Sequence, residues 1–390
     1  MIRFIFALLL TILPVASHAD RGVLGAKSYD SPIGCAPDSV FNLVAGSVLN
    51  TYATTSAPTS GHSFNILPYY NNEQGASFQL LIDTPTSSLV MASSGLSPMS
   101  YFGSLVFSTG GNPDNNGTYG TISEYGTSRV FLHGQQQVAP CASPPCLHHY
   151  MFSTSGGGPG IDINLAFPAA NSSQGTFGGI SDGSSFYFLQ RLTTPANTTM
   201  LWKFDISGTS TEGFLNVGNV ANRTEFVQDS TFLFFTDSNG NRIQRVEKLG
   251  LGSSTFFPIT PTFLQDPLAY SPGQSAFYLA TSVPGTLTIR RYTADFSANT
   301  HNLVIANELI SPGGLMMDEQ AGKLYLVTEP LATTVKRVRR LNPSTLTSEQ
   351  TLSINLGTNG FVAAPDFTHK YLWISDIGNP SHIQRVQLCT

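Results

Sequence analysis

Phe-Leu-Phe-Phe-Thr-Asp at residues 232–237 is one of several similar stretches that recur along the chain at a nearly fixed spacing. Each copy is a short apolar run, rich in aromatic residues, that ends at a small or acidic residue. One aligned position advances in steps of 46, 45, 47 and 47 residues through the series Tyr187, Leu233, Tyr278, Tyr325 and Leu372. A period in the forties that carries short strands is typical of a β-propeller blade.

A second marker keeps the same period in a strand that follows each apolar run. It reads apolar residue, any residue, cation, apolar residue, as in Ile-Gln-Arg-Val at 243–246. Its cations advance in steps of 42, 46, 46 and 48 residues through the series Lys203, Arg245, Arg291, Arg337 and Arg385. The turns between the two markers are rich in Gly, Pro, Asn and Asp, which supply the backbone angles of hairpins. Each repeat therefore contains a β-hairpin.

The apolar runs and the cations have different expected places in a blade. The runs are continuous rather than alternating, which indicates strands buried on both faces between neighbouring blades. The cations belong to the third strand from the axis. We expect their stems to lie along apolar strands and their charges to remain at the edge.

The first half of the chain keeps the period less well, and two positions there match the aligned series. These are Val90 and Phe131, at steps of 41 and 56 residues, and the longer step is interpreted as one blade with insertions. Together with the five clear copies they predict an all-β propeller of seven blades, each of four antiparallel strands, with eight blades as the alternative. The last repeat stops one strand short. The stretch 39–45, which contains Leu43, is expected to supply that strand and close the ring.

Residues 1–19 have the parts of a secretory signal peptide, with a basic start, an apolar core at 4–15 and a small-x-small cleavage site at 17–19. The apolar core is too short to span a membrane, so no membrane insertion is expected. We expect a secreted protein, or a periplasmic one if the host is a Gram-negative bacterium. Residues 20–36 form an N-terminal segment, and 37–390 are expected to form a single propeller domain.

The four cysteines are expected to form two disulfides, since an exported chain meets oxidising conditions. Cys141 and Cys146 flank a short loop with two prolines, which holds the two sulfurs near each other. Cys35 and Cys389 lie at the two ends of the folded region, where the closing strand would pair with the last strand. The predicted pairs are Cys35–Cys389 and Cys141–Cys146.

Composition supports an all-β fold and excludes one class of partner. Charged residues make up 11% of the chain, well below the usual quarter, and aromatic residues also make up 11%. The 36 glycines and 24 prolines provide many turn formers. The net charge of −5 provides no basic surface of the kind that binds nucleic acid.

Acidic residues recur around each apolar run and are interpreted as turn residues. One set precedes the run and the other follows it: Asp182, Asp229, Asp318 and Asp366 before, and Asp237, Glu329 and Asp376 after.

Other candidate site residues carry weaker signals. Residues near the expected starts of innermost strands could approach the central channel and bind a divalent cation there: Asn222, Glu225, Asp266, Glu308 and Asn359. Ca²⁺ is the candidate ion, and the sequence identifies no other cofactor. Asn-x-Ser/Thr sequons, which would make a glycoprotein in a eukaryotic host, begin at Asn116, Asn171, Asn197 and Asn222. The sequence contains no Gly-x-Ser-x-Gly elbow and no phosphate-binding loop.

The repeat resembles the NHL and YVTN propeller repeats. The likeness is carried by an aromatic strand ending in Thr/Ser-Asp, a Gly/Asn turn and a strand of the Ile-x-Arg-Val type. It is clearest at 234–246 and 373–386, and it covers residues 180–390 clearly and the front half faintly. The resemblance implies a ring that binds ligands or partners at one of its ends. It carries over no catalytic residues.

Two function classes follow from this pattern. The first is a secreted binding protein that engages a protein or a glycan with one face of the ring, bordered by the loops at 237–241, 282–286, 329–333 and 376–381. The second is a secreted hydrolase or lactonase with a divalent cation in the central channel. The sequence leaves the ligand, the enzyme question and the oligomeric state open.

Overall fold

A computed structural model describes the strands of the whole ring and most of the turns in its second half. The described residues are 43–49, 66–71, 76–83, 88–93, 101–106, 120–124, 129–136, 146–153, 161–165, 173–192, 198–205, 211–220, 226–237, 241–252, 254–259, 267–283, 285–355, 361–367, 371–376 and 383–388.

The described strands are all antiparallel to their neighbours. Those of the first half are β1 (Leu43–Leu49), β2 (Ile66–Asn71), β3 (Ala76–Asp83), β4 (Ser88–Ser93), β5 (Tyr101–Val106), β6 (Gly120–Glu124), β7 (Arg129–Gln136), β8 (Cys146–Ser153), β9 (Ile161–Leu165), β10 (Ser173–Ser181), β11 (Ser185–Leu192), β12 (Thr198–Asp205) and β13 (Thr211–Gly218). Those of the second half are β14 (Phe226–Gln228), β15 (Phe232–Asp237), β16 (Arg242–Glu247), β17 (Ser254–Pro258), β18 (Leu268–Ser271), β19 (Ala276–Val283), β20 (Thr286–Thr293), β21 (Asn299–Ala306), β22 (Glu308–Asp318), β23 (Lys323–Pro330), β24 (Val335–Leu341), β25 (Ser348–Asn355), β26 (Phe361–Asp366), β27 (Tyr371–Asp376) and β28 (Ile383–Leu388).

These strands form seven four-stranded sheets, which we call blades 1 to 7. Blades 1 to 6 each use four consecutive strands, from β2–β5 through β22–β25, and blade 7 has the order β1-β28-β27-β26. The first strand of each blade contacts the first strands of the blades on either side, and β26 returns to contact β2. The predicted propeller of four-stranded antiparallel blades is confirmed.

The fourth strand of blade 7 comes from the N-terminal part of the chain. Leu43 pairs with Leu388 and Leu49 pairs with Ile383, with a register shift between them. Leu43 therefore lies in the strand that completes the last blade, as the short last repeat predicted. The strand itself begins at Leu43, four residues later than the predicted stretch 39–45.

The first half of the chain contains one wrong assignment. Phe131 lies in β7, the second strand of blade 2, as predicted, but Val90 lies in β4, the third strand of blade 1. The second strand of blade 1 is β3, where the polar Gln79 interrupts the apolar run and so removes the signal used for the alignment.

The second strands form the core of the second half. Residues 233–237 of β15, 276–281 of β19 and 324–329 of β23 are all buried, which confirms the prediction of strands covered on both faces. Alternate side chains face opposite blades: Tyr278 and Leu326 pack in one cluster between blades 5 and 6, whereas Tyr325 and Val327 pack toward blade 7. No helix in the described part of the chain is long and apolar enough to cross a membrane.

The ring has two different ends because every blade follows the same antiparallel path. One end of the ring carries the starts of the first strands and the loops between second and third strands. We call it the hairpin end. The turns between first and second strands and between third and fourth strands lie at the opposite end. The hairpin end is the face on which the sequence placed its candidate loops.

Candidate binding surface at the hairpin end

The acids that precede the apolar runs are turn residues, as predicted. Asp182 Oδ1 accepts hydrogen bonds from the backbone N–H groups of Ser184 and Ser185, at 2.9 and 2.8 Å. Asp229 does the same for Thr231 and Phe232, and in blade 6 Asp318 accepts from Ala321 at 2.9 Å. The side chain of Asp366 is not among those described. These carboxylates stabilise tight turns at the opposite end and are not available for chemistry there.

The acids that follow the apolar runs are different: the interpretation as turn residues is wrong for Asp237 and Glu329, while the side chain of Asp376 is not among those described. Asp237 is fully buried and accepts from Arg242 Nε at 2.7 Å and from Gln244 Nε2 at 3.0 Å. Glu329 is also buried, and Lys336 Nζ lies 2.5 Å from its Oε2. Both acids bind side chains of the adjacent third strand, so they link two strands of a hairpin instead of shaping its turn.

Lys203 and Arg245, two of the five cations of the second marker, contact side chains within their own blades. Lys203 pairs with Glu212 at 3.1 Å on the neighbouring fourth strand. The guanidinium of Arg245 lies 4.5 Å from the ring centroid of Phe232 and 5.2 Å from that of Phe257. Stems and charges thus lie along apolar or aromatic side chains.

Arg337, at the same repeat position in blade 6, departs from this pattern because it contacts a buried carboxylate. Glu308 is the first residue of the innermost strand β22, and its side chain is buried. Arg339 binds it through two bonds of 2.6 Å, one to each oxygen, and Thr328 Oγ1 donates at 2.5 Å. Arg337 donates to the same carboxylate through Nη1. We call Glu308, Thr328, Arg337 and Arg339 the blade 6 cluster.

The electrostatics of the blade 6 cluster keep Glu308 ionised. Burial alone would raise the pKa of Glu308, but hydrogen bonds from Arg339, Thr328 and Arg337 outweigh it, so the pKa lies below its ordinary value. One carboxylate then faces two guanidinium groups, and the cluster carries a net charge of +1. Its outermost member is Arg337, whose side chain is 40% exposed.

Three aliphatic side chains are exposed at the hairpin end of blades 5 and 6. Val283 is 43% exposed at the end of β19, Leu309 is 40% exposed near the start of β22, and Leu331 is 39% exposed in the loop after β23. The backbone ties them together: Asn307 N–H donates to Gly285 O, and Leu331 N–H donates to Asn307 O, both at 2.8 Å. We call Val283, Leu309 and Leu331 the apolar rim.

Two loop residues of this region have left-handed backbones. Asn307 and Ala332 both have φ of 58°. Asparagine tolerates this conformation, whereas for alanine it costs about 1 kcal/mol. The hairpin loop of blade 6 is thus held in a fixed and unfavourable shape by its surroundings, with Leu331 beside the strained residue.

The structure places few of the predicted site residues. Glu308 is the first residue of an innermost strand, as expected of a channel candidate, but both of its oxygens are bound by the protein's own cations. The other four channel candidates lie outside the described residues: Asn222, Glu225, Asp266 and Asn359. In the described part of the chain, no three His, Cys, Asp or Glu side chains converge as a metal site would require.

The predicted modification sites are also outside the described part. This holds for Cys35, Cys141 and Cys389 and for the sequons at Asn116, Asn171, Asn197 and Asn222, while of Cys146 only the backbone in β8 is described. The two disulfides and the glycosylation sites therefore stay predictions.

The sequence reasoning did not identify the apolar rim or the special role of Arg337. A usable signal was present for Leu331, an apolar residue in a hairpin loop, where polar residues are usual. A signal was also present for Arg337, because residues 336–340 carry four cations where the aligned residues 244–248 of blade 4 carry two cations and an acid.

The chain matches no protein-family model and no curated protein. Solved structures do match it. One is BBS1N, determined in complex with ARL6DN, with a TM-score of 0.57 at 8% identity over 89% of this chain and 97% of that one. Another is streptogramin B lyase, with a TM-score of 0.51 at 12% identity over 89% of this chain and 98% of that one. At these identities the likeness shows the fold, a β-propeller, and nothing finer.

Proposed function

We propose that this chain is a secreted binding protein that engages a protein partner through the hairpin end of its ring, with the apolar rim at the centre of the contact. The observation that carries this proposal is the set of three exposed aliphatic side chains, whose loops are linked by backbone hydrogen bonds. They lie on the face that the sequence predicts for binding. Exposed aliphatic side chains grouped at one end of a ring typically mark a docking surface.

A protein partner fits this surface better than a glycan does. The rim side chains are aliphatic, and they offer no hydrogen-bonding groups to match the hydroxyls of a sugar. Burying them against apolar side chains of a partner would contribute about 25 cal/mol for each Å² removed from water. The similar structure BBS1N was determined in complex with ARL6DN, which supports the choice of a protein partner.

Site-specific cross-linking tests the proposal. A photoreactive residue placed at Leu331 or at Leu309 should link the same partner from the protein's native medium. The control position is Leu249, which is 81% exposed in a turn at the opposite end. Equal labelling from Leu249, or different products from the two rim positions, would contradict binding at the hairpin end.

The alternative function is a hydrolase or lactonase with a divalent cation in the central channel. One similar structure is by its name a lyase, so enzymes also occur on this architecture. Elemental analysis of the purified protein, with a thermal shift on adding Ca²⁺, tests this alternative. A bound metal ion together with a rise in melting temperature would favour the enzyme over the binding protein.

Secretion is part of the proposal and rests on residues 1–19. N-terminal sequencing of the mature protein should begin at Asp20. Peptide mapping without reduction should link Cys35 to Cys389 and Cys141 to Cys146. A mature chain that begins at Met1, or free thiols at these positions, would contradict export through an oxidising compartment.

A further inference from the structure

We propose that Arg337 is a pre-positioned anchor for a carboxylate, and that the segment of the partner bound at the hairpin end is acidic, with an aliphatic residue beside the acid. This inference rests on the proposed function, because it names the chemistry of the partner at that surface. It assigns to Arg337 a role that the described contacts of Lys203 and Arg245, at the same repeat position, do not indicate.

The first step is the geometry of the guanidinium. Arg337 uses one nitrogen, Nη1, to bind Glu308, and among the described residues its other nitrogens have no hydrogen-bond partner. A guanidinium presents its donors in a rigid fork that matches both oxygens of a carboxylate. Because Glu308 already binds one nitrogen of the guanidinium, the Arg337 side chain is partly ordered before a ligand arrives. Binding a carboxylate to its other nitrogens would therefore cost little further side-chain entropy of Arg337.

The blade 6 cluster also carries an excess of positive charge. The two guanidinium groups of the blade 6 cluster exceed its single carboxylate by one positive charge. Of the other two buried acids of this blade, Glu329 faces blade 7 and is already paired with Lys336, and Asp318 accepts from a backbone N–H in a turn at the opposite end. On the side of blade 6 that carries Arg337, the neighbouring strands of blade 5 contribute Leu287, Ile289 and other aliphatic side chains to the shared cluster. Aliphatic surroundings leave the excess charge poorly compensated and favour an anion from outside.

The third step is the position of the apolar rim. Leu309 follows Glu308 directly in the chain, and Leu331 is hydrogen-bonded to Asn307, which directly precedes Glu308. Arg337 binds the first residue of β22, Leu309 is the second, and Leu331 is bound to the residue before it, so the cation and two members of the rim all lie near the start of β22. A short linear segment can therefore reach both with one acid and one neighbouring aliphatic side chain, which commits the occupant to a protein segment of that composition.

Selection from a library of random linear peptides displayed on phage tests the inference. The library is selected on the full protein and counter-selected on the Leu309→Ser, Leu331→Ser double variant, so that only peptides requiring the rim remain. We expect these peptides to carry Asp or Glu beside an aliphatic residue. Each is then synthesised in two forms, with the acid and with the corresponding amide.

The decisive measurement is the affinity of both peptide forms for Arg337→Gln. We expect the acidic form to bind about ten- to a hundredfold more weakly than to the wild type, as expected for a lost charge-assisted hydrogen bond. The amide form should bind both proteins equally. Arg337→Lys should fall between the two, because it keeps the charge and loses the fork. The matched control is Arg245→Gln, at the same repeat position in blade 4, and melting curves confirm that all variants fold.

The outcomes separate the inference from the proposed function. Rim-dependent peptides without enrichment of acids, or an equal effect of Arg337→Gln and Arg245→Gln, would overturn the anchor and leave binding at the hairpin end intact. If counter-selection removes every peptide, because all of them bind the Leu309→Ser, Leu331→Ser variant as well as the wild type, both would be overturned.

Discussion

Blades 4 and 6 are built from the same repeat, yet their buried charges are arranged in different ways. In blade 4 the acid at the end of the second strand, Asp237, accepts hydrogen bonds from Arg242 and Gln244. Arg245 makes cation–π contacts with two phenylalanine rings. Blade 6 keeps the corresponding acid, Glu329, paired but also has a buried carboxylate at the start of its innermost strand, Glu308, which binds Arg337 in place of an aromatic ring.

In a repeat protein, function is best sought where one repeat departs from the others. Features shared by all repeats build the blade, so they carry little information about ligands. The departures of one copy, here an additional buried acid and apolar residues in its hairpin loop, occur together at one end of the ring. Matched variants in the two blades can therefore test whether blade 6 differs from blade 4 in the ways that its contacts imply.

The largest effect is expected at Gly313, in the innermost strand of blade 6. Its φ is +71°, and a Cβ there would lie 1.9 Å from the backbone oxygen of Ala363 in blade 7. Gly313→Ala should therefore destabilise the protein by about 4 kcal/mol or more, from left-handed strain and a backbone clash together. Equilibrium unfolding in denaturant measures the loss.

The matched control for Gly313 is Gly250 in blade 4, which has a similar φ of +74°, although no described atom lies within 4 Å of the position that a Cβ would take there. Gly250→Ala should cost only the strain, about 1–2 kcal/mol. Equal losses for the two variants would mean that blades 6 and 7 do not approach each other as closely as the structure shows.

The next effect concerns the buried carboxylate of blade 6. Glu308→Gln leaves two guanidinium groups without their anion and should cost about 3 kcal/mol at neutral pH, as for other buried pairs that lose one partner. Because the pKa of Glu308 is lowered by folding, its contribution is present above the ordinary pKa of 4.5 and is lost as the pH falls through the lower folded value.

The pH dependence therefore has a definite sign. The difference in unfolding free energy between the wild type and Glu308→Gln should be constant above about pH 5 and should shrink toward more acidic pH. Urea unfolding at a series of pH values measures it. A difference that grows on acidification would mean that Glu308 is protonated in the folded state.

Asp237→Asn in blade 4 should have a smaller effect, of about 1–2 kcal/mol. The asparagine can still accept a hydrogen bond from Gln244, and Arg242 lies 3.8 Å from the ring centroid of Phe256, where its charge remains stabilised. The same unfolding experiment applies. A loss as large as that of Glu308→Gln would remove the distinction drawn between the two blades.

The sequence was sufficient for the blade pattern because the pattern is local. Each apolar run and its following cation lie within one hairpin, and both signals survive in every copy from Tyr187 onward. In blade 1 a single polar residue, Gln79, broke the run and moved the alignment to the wrong strand. The closing strand was predictable because the last repeat visibly lacks one.

The candidate surface was less predictable because it depends on contacts between strands that are distant in sequence. Glu308 and Arg337 lie 29 residues apart, and although residues 336–340 carry more cations than the aligned residues 244–248, the local sequence does not show which acid those cations bind. The buried roles of Asp237 and Glu329 were missed for a related reason. An acid at a strand end looks the same in sequence whether it caps a turn or pairs across the hairpin.

The smallest expected change in stability is also the sharpest test of the comparison. Arg337→Gln should cost less than about 1 kcal/mol, because Arg339 still holds both oxygens of Glu308 and Arg337 is partly exposed. Arg245→Gln should cost a similar amount, since Arg245 is only partly buried and its cation–π contacts contribute about 0.5–1 kcal/mol at such sites. If Arg337→Gln instead lost as much stability as Glu308→Gln, Arg337 would be needed to neutralise the buried acid and would not be free to serve a ligand. A small loss of stability together with a large loss of peptide affinity is the combination that a binding role requires and a purely structural role does not produce.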